Sequence, residues 1–215
     1  MTISQVDFAS LLCSRLCHDL LSPVGALNNG LELLADETDP VMRQRCMELL
    51  TDSARTSANK LKFFRLAFGA AGSLGETVDP REARGAIEGL LSDSKRTTLG
   101  WLVDADALPK AAVKALLNLT LIANEALVRG GTLDVGAEEE DGRLEIVVRI
   151  AGPRIILDPE LRRMLTEGEP ADGVTSRLAA AFMIHSLVRD GGGQVQVFDQ
   201  GDGVMVFGAT FAART

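Results

Sequence analysis

The stretch HDLLSP, residues 18–23, decides the fold and the chemistry expected of this chain. It lies within a helical pattern from about residue 3 to residue 35, in which apolar residues recur every three or four positions. At roughly 100° per residue, Leu16 and Leu20 lie about 200° round the helix from His18. The imidazole of His18 is therefore predicted to point away from the core. The apolar stripe consists of Phe8, Leu12, Leu16, Leu20, Leu27, Leu31 and Leu34.

His18 and Asp19 are the candidate catalytic residues. Reversible phosphorylation of histidine needs a neutral imidazole with a free lone pair, and histidine changes its charge near neutral pH. The neighbouring carboxylate can hold the proton of one ring nitrogen while the other nitrogen attacks phosphorus. A surface histidine without a function is the alternative. Pro23 argues against it, because a proline inside a helix costs about 3 kcal/mol and a sequence that keeps it has a reason to.

The residues that share a helix face with His18 are mostly small or polar. Residues three, four and seven positions apart lie on one face of a helix. Another protein's backbone could approach such a surface closely, so we interpret it as a docking face more than a packing face. Its members are Ser14, Arg15, Leu21, Ser22 and Gly25.

The composition is that of a folded, acidic protein. The 215 residues leave room for one large domain or two small ones, and the 46% of hydrophobic residues predict a real core. The net charge of -8 disfavours binding to nucleic acid or to an anionic membrane. The longest apolar run, residues 111–128, contains Lys114 and Glu125, so it is predicted to be a helix of a soluble protein and not a membrane span.

The three cysteines, Cys13, Cys17 and Cys46, predict a reducing, cytoplasmic location, because their number is odd and no signal peptide is present. A metal site is the alternative for Cys13 and Cys17 beside His18. Zinc needs three or four converging ligands, and His18 lies about 100° round the helix from Cys17. We therefore predict no metal site, and thiols that pack between helices.

Residues 1–70 are predicted to form an antiparallel helical hairpin. The first helix ends near residue 36, and Asp39-Pro40 supplies an N-cap followed by proline at the first helical position of a second helix that runs to about residue 68. A hairpin alone has too small a core, so pairing with a second copy is predicted to give a four-helix bundle in a homodimer. The small, glycine-rich residues 71–75 are predicted to be a linker.

Residues 76–215 alternate helical and strand patterns, which makes the fold class of the chain α+β, with helices on one face of a mixed sheet. Turns are predicted at residues 141–142 and 201–203, because both contain Asp-Gly pairs between strand patterns. The helices are predicted at residues 80–95, 110–129 and 173–189, and the strands at residues 99–103, 132–136, 144–150, 194–199 and 204–211.

HDLLSP resembles the H-box of sensor histidine kinases, in which histidine and an acid are followed by two residues, then Thr, Ser or Asn, then proline. Residues 24–34 continue that likeness. The resemblance implies that His18 is the phosphoacceptor and that Asp19 orients the ring and manages its proton.

Residues 76–213 resemble the ATP-binding domain of the same kinases, an α/β sandwich of the Bergerat type. LIANEAL, residues 121–127, stands at the N-box, with Asn124 at the magnesium-binding asparagine and Thr120 where the family often has a second Asn or an acid. The glycines at residues 191–193 match the turn after the family's last helix. His185 on that helix lacks an acidic neighbour and is predicted to be structural.

The other nucleotide motifs depart from that family. In VRIAGPRI, residues 148–155, Ile150 replaces the adenine-reading aspartate and Arg154 replaces a glycine. GVTSRLAA, residues 173–180, replaces the glycine loop that approaches the phosphates. An unpaired adenine amino group costs about 1–3 kcal/mol, and a close backbone approach needs residues without a Cβ. We therefore predict a degenerate domain that binds neither ATP nor another cofactor.

A phosphoacceptor hairpin joined to a degenerate kinase-like domain resembles the ChpT-type histidine phosphotransferases. The resemblance implies a homodimer that takes a phosphoryl group from the receiver domain of a CckA-type hybrid kinase and passes it to response regulators of the CtrA and CpdR type. Mg²⁺ would come from the partner receiver, and Arg15, Leu21 and Ser22 are predicted to contact that receiver. The alternatives are an ATP-dependent histidine kinase and a non-enzymatic adaptor that holds receivers.

Overall fold

The structure, a computed structural model, describes residues 3–69, 76–92, 96–170 and 173–212. The helices are α1 (Gln5–Asp36), α2 (Pro40–Ala67), α3 (Pro80–Leu91), α4 (Lys110–Ala126), α5 (Pro159–Glu167) and α6 (Ala179–Asp190). The strands are β1 (Thr77–Val78), β2 (Thr97–Val103), β3 (Leu108–Pro109), β4 (Gly131–Glu140), β5 (Arg143–Ala151), β6 (Val195–Gly201) and β7 (Val204–Phe211). The predicted linker at residues 71–75 lies outside the described residues, so the domain boundaries stay a prediction.

Helices α1 and α2 form the predicted antiparallel hairpin. The hydroxyl of Ser4 caps α1 by accepting from the backbone N–H of Asp7 at 3.0 Å, and Asp39 caps α2 ahead of its first-turn proline. The two helices approach closely at Gly30, where a Cβ would lie 3.0 Å from Cδ2 of Leu50. Local capping signals therefore explain where both helices begin.

The chain from residue 76 onward, which we call the sheet part, is built on a five-stranded sheet in the order β2-β4-β5-β7-β6. Strand β2 runs parallel to β4, whereas the other neighbours are antiparallel, so the sheet is mixed, as predicted. In β5 every second side chain is buried, Ile150 among them, while Val147 and Arg149 between them are exposed. Such alternation places one face of a strand against a core, and α4 and α6 cover that face. The predicted α+β fold is confirmed.

The base of the hairpin is embedded in the core of the sheet part. Phe63 and Phe64, near the end of α2, are buried in one apolar cluster with residues of α3, α4 and the sheet. Nδ2 of Asn118 on α4 donates to the carbonyl of Ala67 at 3.1 Å, which satisfies an acceptor at the end of α2. Near the start of α1, the ring of Phe8 packs on Phe182 of α6 with centroids 5.0 Å apart. Helix α1 is thus anchored to the sheet part.

Three predicted helix boundaries differ from the structure. Helix α3 ends at Leu91 and not at residue 95, and residues 93–95 lie outside the described part of the chain. Helix α4 ends at Ala126 and not at residue 129, because the N–H of Val128 turns away to the carbonyl of Arg154 at 3.2 Å. Helix α6 begins at Ala179 and not at residue 173, since Gly173 has a φ of 91°, which no α-helical residue adopts.

Helix α5 was not among the predicted elements. Asp158 caps it by accepting from the N–H of Glu160 at 2.9 Å, and Gly168 ends it with a φ of 74°. This Asp-Pro start is the same signal that correctly predicted the start of α2. The short antiparallel pair of β1 and β3 is also additional to the prediction.

The buried Pro23 interrupts the hydrogen bonds of α1 beside the HDLLSP stretch. Proline has no backbone N–H, so the carbonyl of Asp19, four residues earlier, loses its helical donor. Nζ of Lys60 on α2 donates to that carbonyl at 2.9 Å. The second helix of the hairpin therefore replaces the hydrogen bond that Pro23 removes.

We expect Lys60→Met to lower the free energy of unfolding by about 1–3 kcal/mol, because it leaves the Asp19 carbonyl unsatisfied. The same change should cost less in a Pro23→Ala background, where the restored backbone N–H can reach the carbonyl. Urea unfolding at equal chain concentration measures both effects. Lys62→Met, at an exposed lysine of the same helix, is the control. Equal losses for the two lysines, or no dependence on Pro23, would contradict this explanation.

Candidate functional site

His18 projects from α1 with 85% of its side chain exposed, which confirms that it points away from the core. Its Nδ1 lies 3.1 Å from Oδ1 of Asp19. An ionised carboxylate only accepts hydrogen bonds, so Nδ1 is the ring nitrogen that carries the proton. The lone pair of the neutral ring is then on Nε2, on a side chain that solvent and a protein partner can reach.

Asp19 and Arg15 lie beneath the exposed imidazole. Nε of Arg15 donates to Oδ2 of Asp19 at 2.8 Å, an ion pair across one helical turn. The side chains of Arg15 and Asp19 are only 11% and 17% exposed. A charge-assisted bond of this kind fixes the orientation of the carboxylate, and hence the oxygen that faces His18.

The same guanidinium also contacts a distant acid. Nη2 of Arg15 donates to Oε1 of Glu125 on α4, 110 positions later in the chain. We call His18, Asp19, Arg15 and Glu125 the His18 network. Sequence reasoning missed Glu125 as a member, because no local spacing pairs it with α1; its only signal is its place directly after Asn124.

Burial and the neighbouring charges shift the pKa values of Arg15 and Glu125 in opposite directions. Burial disfavours the charge of Arg15, but Glu125 and Asp19 outweigh it and raise the pKa of the Arg15 guanidinium above its ordinary value. Burial also raises the pKa of the Glu125 carboxyl, against the opposing effect of the Arg15 charge. Arg15 therefore stays charged at every physiological pH, and titration within the pair falls on the carboxylate.

A cleft of about 310 Å³ opens beside the His18 network. Its far wall is formed by Ser176 and Arg177, in the segment that precedes α6. Nη1 of Arg177 forms an ion pair with Oδ2 of Asp158 at 2.9 Å. The cleft thus lies between α1 and the segment that precedes α6.

The three predicted receiver contacts occupy different positions. Leu21 is 69% exposed and Ser22 is exposed on the helix next to His18. Arg15, in contrast, lies under His18 and is engaged by the two acids. A contact between a receiver and any of the three stays a prediction.

Two positions that the sequence resemblance aligns with the nucleotide motifs of kinases are Ile150 and Asn124. Ile150, at the position of the adenine-reading aspartate, is fully buried in β5 between Leu133 and Met205 on the neighbouring strands. Oδ1 of Asn124 accepts from the hydroxyl of Thr97 at 3.4 Å. In the part of the chain that the structure describes, no group of three or more His, Cys, Asp or Glu residues could hold a metal ion.

The three cysteines and His185 lie outside the His18 network. Cys46 is buried, whereas Cys13 and Cys17 are exposed, so the predicted packing role of those two thiols is wrong for this chain. His185 is structural, as predicted: its Nδ1 lies 3.1 Å from the carbonyl of Leu165, within the contact of α5 and α6. Among the described helices, none is long and apolar enough to cross a membrane.

Comparisons with known proteins find similarity to phosphotransferases. A family described as "Histidine phosphotransferase C-terminal domain" matches residues 80–203. Protein phosphotransferase ChpT of Brucella abortus (strain 2308) is 35% identical over 201 residues, which cover 92% of each chain. A solved structure described as a bacterial phosphotransferase is 32% identical, with a TM-score of 0.86 over 97% of this chain and 98% of that chain.

Similarity to kinases is confined to the fold. The mycobacterial sensor histidine kinase MprB is 21% identical, with a TM-score of 0.50 over 65% of this chain and 97% of that chain. The family match spans more than half of this chain, and the ChpT match extends along nearly all of it. The first helix carries an exposed histidine in contact with an acid, and the sheet part has a kinase-like fold. This chain belongs to the ChpT-type histidine phosphotransferases.

Proposed function

We propose that this protein relays a phosphoryl group from the aspartate of a hybrid-kinase receiver domain, through His18, to the aspartates of response regulators in a bacterial phosphorelay. The observation that carries the proposal is the exposed imidazole of His18, with Nδ1 held by Asp19 and Nε2 left free. Membership of the ChpT-type family supports the same activity. The role fits the cytoplasm, where both kinds of receiver would be met.

The transfer step follows from the geometry of the ring. The Nε2 lone pair attacks the phosphorus of an aspartyl phosphate, the N–P bond forms, and the P–O bond to the receiver carboxylate breaks with its electron pair leaving on that oxygen. The imidazole gains positive charge as the bond forms. Asp19, 3.1 Å from Nδ1, offsets this charge and keeps Nδ1–H in place. The reverse reaction delivers the group to the next receiver.

The receiver supplies the rest of the reaction machinery in this proposal. Phosphoryl transfer depends on in-line positioning and on neutralisation of the phosphoryl charge, and we assign the Mg²⁺ to the receiver's acidic site. Leu21 and Ser22 offer an exposed apolar and polar pair next to His18 for docking. Receivers of the CckA, CtrA and CpdR type are the proposed partners.

We propose that no ATP takes part. A buried isoleucine cannot accept a hydrogen bond from the adenine amino group, and Ile150 packs inside the sheet part. Asn124, the one matching nucleotide residue, already accepts from Thr97. These contacts favour the relay over an ATP-dependent kinase, and the reactive arrangement of His18 favours it over a passive adaptor.

The hairpin supports the proposed homodimer. Two helices alone cannot enclose a core, and large apolar side chains stand exposed along α1 and α2. Clustered exposed apolar side chains are typical of an interface, and a second hairpin packed on the face that carries Val24 and Leu31 would bury them in the centre of a four-helix bundle. The side chains are Val6, Leu21, Val24, Leu31, Leu33, Val41, Met42, Met47, Leu49 and Leu61.

We expect the wild-type chain to acquire label from a ³²P-phosphorylated receiver, and His18→Gln to acquire none, since Gln lacks the nucleophilic nitrogen. The labelled bond should be acid-labile and stable in alkali. His185→Gln, which replaces the only other histidine, is the matched control and should retain labelling. A wild-type chain that binds receivers but never becomes labelled would favour the adaptor.

Titration of Mg-ATP into the wild-type chain should produce no binding heat at submillimolar concentrations, because the adenine amino group finds no partner at Ile150. Isothermal calorimetry measures this, with the catalytic domain of an active histidine kinase as positive control. Submillimolar affinity combined with ATP-dependent labelling of His18 would refute the relay without nucleotide.

The wild-type chain should have the mass of two chains in light scattering, and Leu31→Glu should shift it towards one, because a charge at the bundle core is buried without a partner. Leu102→Glu, at an exposed leucine of edge strand β2, should leave the dimer intact. A monomeric wild type, or a Leu31→Glu dimer of unchanged stability on dilution, is incompatible with the proposed bundle.

A further inference from the structure

Each carboxylate oxygen of Asp19 has one partner in the His18 network. Oδ2 accepts from Nε of Arg15 at 2.8 Å, and Oδ1 lies 3.1 Å from Nδ1 of His18. The guanidinium of Arg15 is divided in the same way: Nε serves Asp19, and Nη2 serves Glu125. Each pair of neighbours in the network is therefore joined by a single contact. Arg15 does not bind both carboxylate oxygens of Asp19.

We propose that Glu125 is a positioning residue for phosphotransfer, because it holds Nη2 of Arg15 and so leaves Oδ1 of Asp19 free for His18. The inference rests on the proposed phosphotransfer through His18 and adds to it a residue of α4. Glu125 touches neither the imidazole nor the phosphoryl group in this role; it acts through Arg15.

The argument depends on the geometry that arginine prefers with a carboxylate. The Nε and Nη2 groups of a guanidinium form a fork that readily takes both oxygens of one carboxylate. Without Glu125, Nη2 of Arg15 is free to turn to Oδ1 of Asp19. It would then compete with the Nδ1–H of His18 for that oxygen, and the imidazole would lose the contact that fixes its tautomer and its orientation.

Charge acts in the same direction as geometry. Arg15 and Asp19 are both largely buried, so their interaction is weakly screened by water. Glu125 shares the positive charge of Arg15, which leaves more negative charge on Asp19 to offset the charge that develops on His18 during transfer. Arg177 across the cleft also acts on Glu125, but it is paired with Asp158. Arg15 is therefore the member through which Glu125 reaches the reacting ring.

The position of Glu125 gives the sheet part a direct role at the acceptor. Helix α4 lies in the centre of the buried core and is held by the sheet beneath it. Glu125 is near the end of this helix, where it contacts Arg15 of α1 and keeps 42% of its side chain exposed to solvent. A domain that we propose to be unable to bind nucleotide thus contributes one carboxylate to the phosphotransfer site.

The test is the rate of transfer from a phosphorylated receiver to Glu125→Gln, measured over a range of receiver concentrations. Gln keeps the shape but not the charge, and we expect the maximal rate to fall about tenfold with the KM for the receiver unchanged, as for a misplaced reacting group. Glu125→Asp keeps the charge and should recover part of the rate. Glu88→Gln, which removes an exposed ion pair of α3, is the matched control and should transfer like the wild type.

A double-mutant cycle separates positioning from a general structural effect. If Glu125 acts through Arg15, adding Glu125→Gln to Arg15→Gln should change the rate by less than about twofold. Independent, multiplicative losses would overturn the proposal, as would a Glu125→Gln rate within twofold of the wild type or a change confined to KM. Should Glu125→Gln unfold at the assay temperature, Glu125→Asp replaces it in the cycle. Wild type and His18→Gln in the same assay test the proposed function itself. A failure of phosphotransfer through His18 can therefore be told apart from a failure of the role proposed for Glu125.

Discussion

Asp19 is the residue on which the geometry of the site depends, because three different groups hold its three oxygen atoms. Lys60 of α2 donates to its carbonyl, Arg15 holds Oδ2, and His18 faces Oδ1. Pro23 creates the first of these contacts by withdrawing the helical donor, and Glu125 completes the second by holding Arg15. The backbone and the side chain of one residue thus join the two helices of the hairpin to the helix at the centre of the sheet part.

The sheet part has the layers of a kinase-like fold, and in our proposal packing groups stand in place of the groups that would recognise adenine. Ile150 contributes to the same apolar core as α4, the helix that carries Glu125. A buried aspartate at this position would need a polar partner, whereas isoleucine needs only apolar neighbours. Ile150 has such neighbours, because it is fully buried in the apolar core.

Local signals in the sequence predicted the architecture well. The Asp39-Pro40 cap and the Asp141-Gly142 turn are formed by near neighbours, and they correctly predicted the second helix and the central hairpin of the sheet. The start of α6 was wrong because an apolar helical pattern does not reveal the positive φ of Gly173. The contact of Arg15 with Glu125 could not be predicted, since it joins residues far apart whose types are common on any helix surface. The bond from Lys60 ends on a backbone carbonyl, which leaves no trace in side-chain patterns.

All four members of the His18 network come from one chain. In the homodimer that we propose, each chain would carry its own His18 and its own His18 network. In a two-chain assembly the phosphoryl capacity would therefore equal the number of chains, and one site could be charged while its twin is empty. Such a dimer would have none, one or both of its histidines phosphorylated. The amount of phosphoryl group passed on would then take intermediate values and not only two levels.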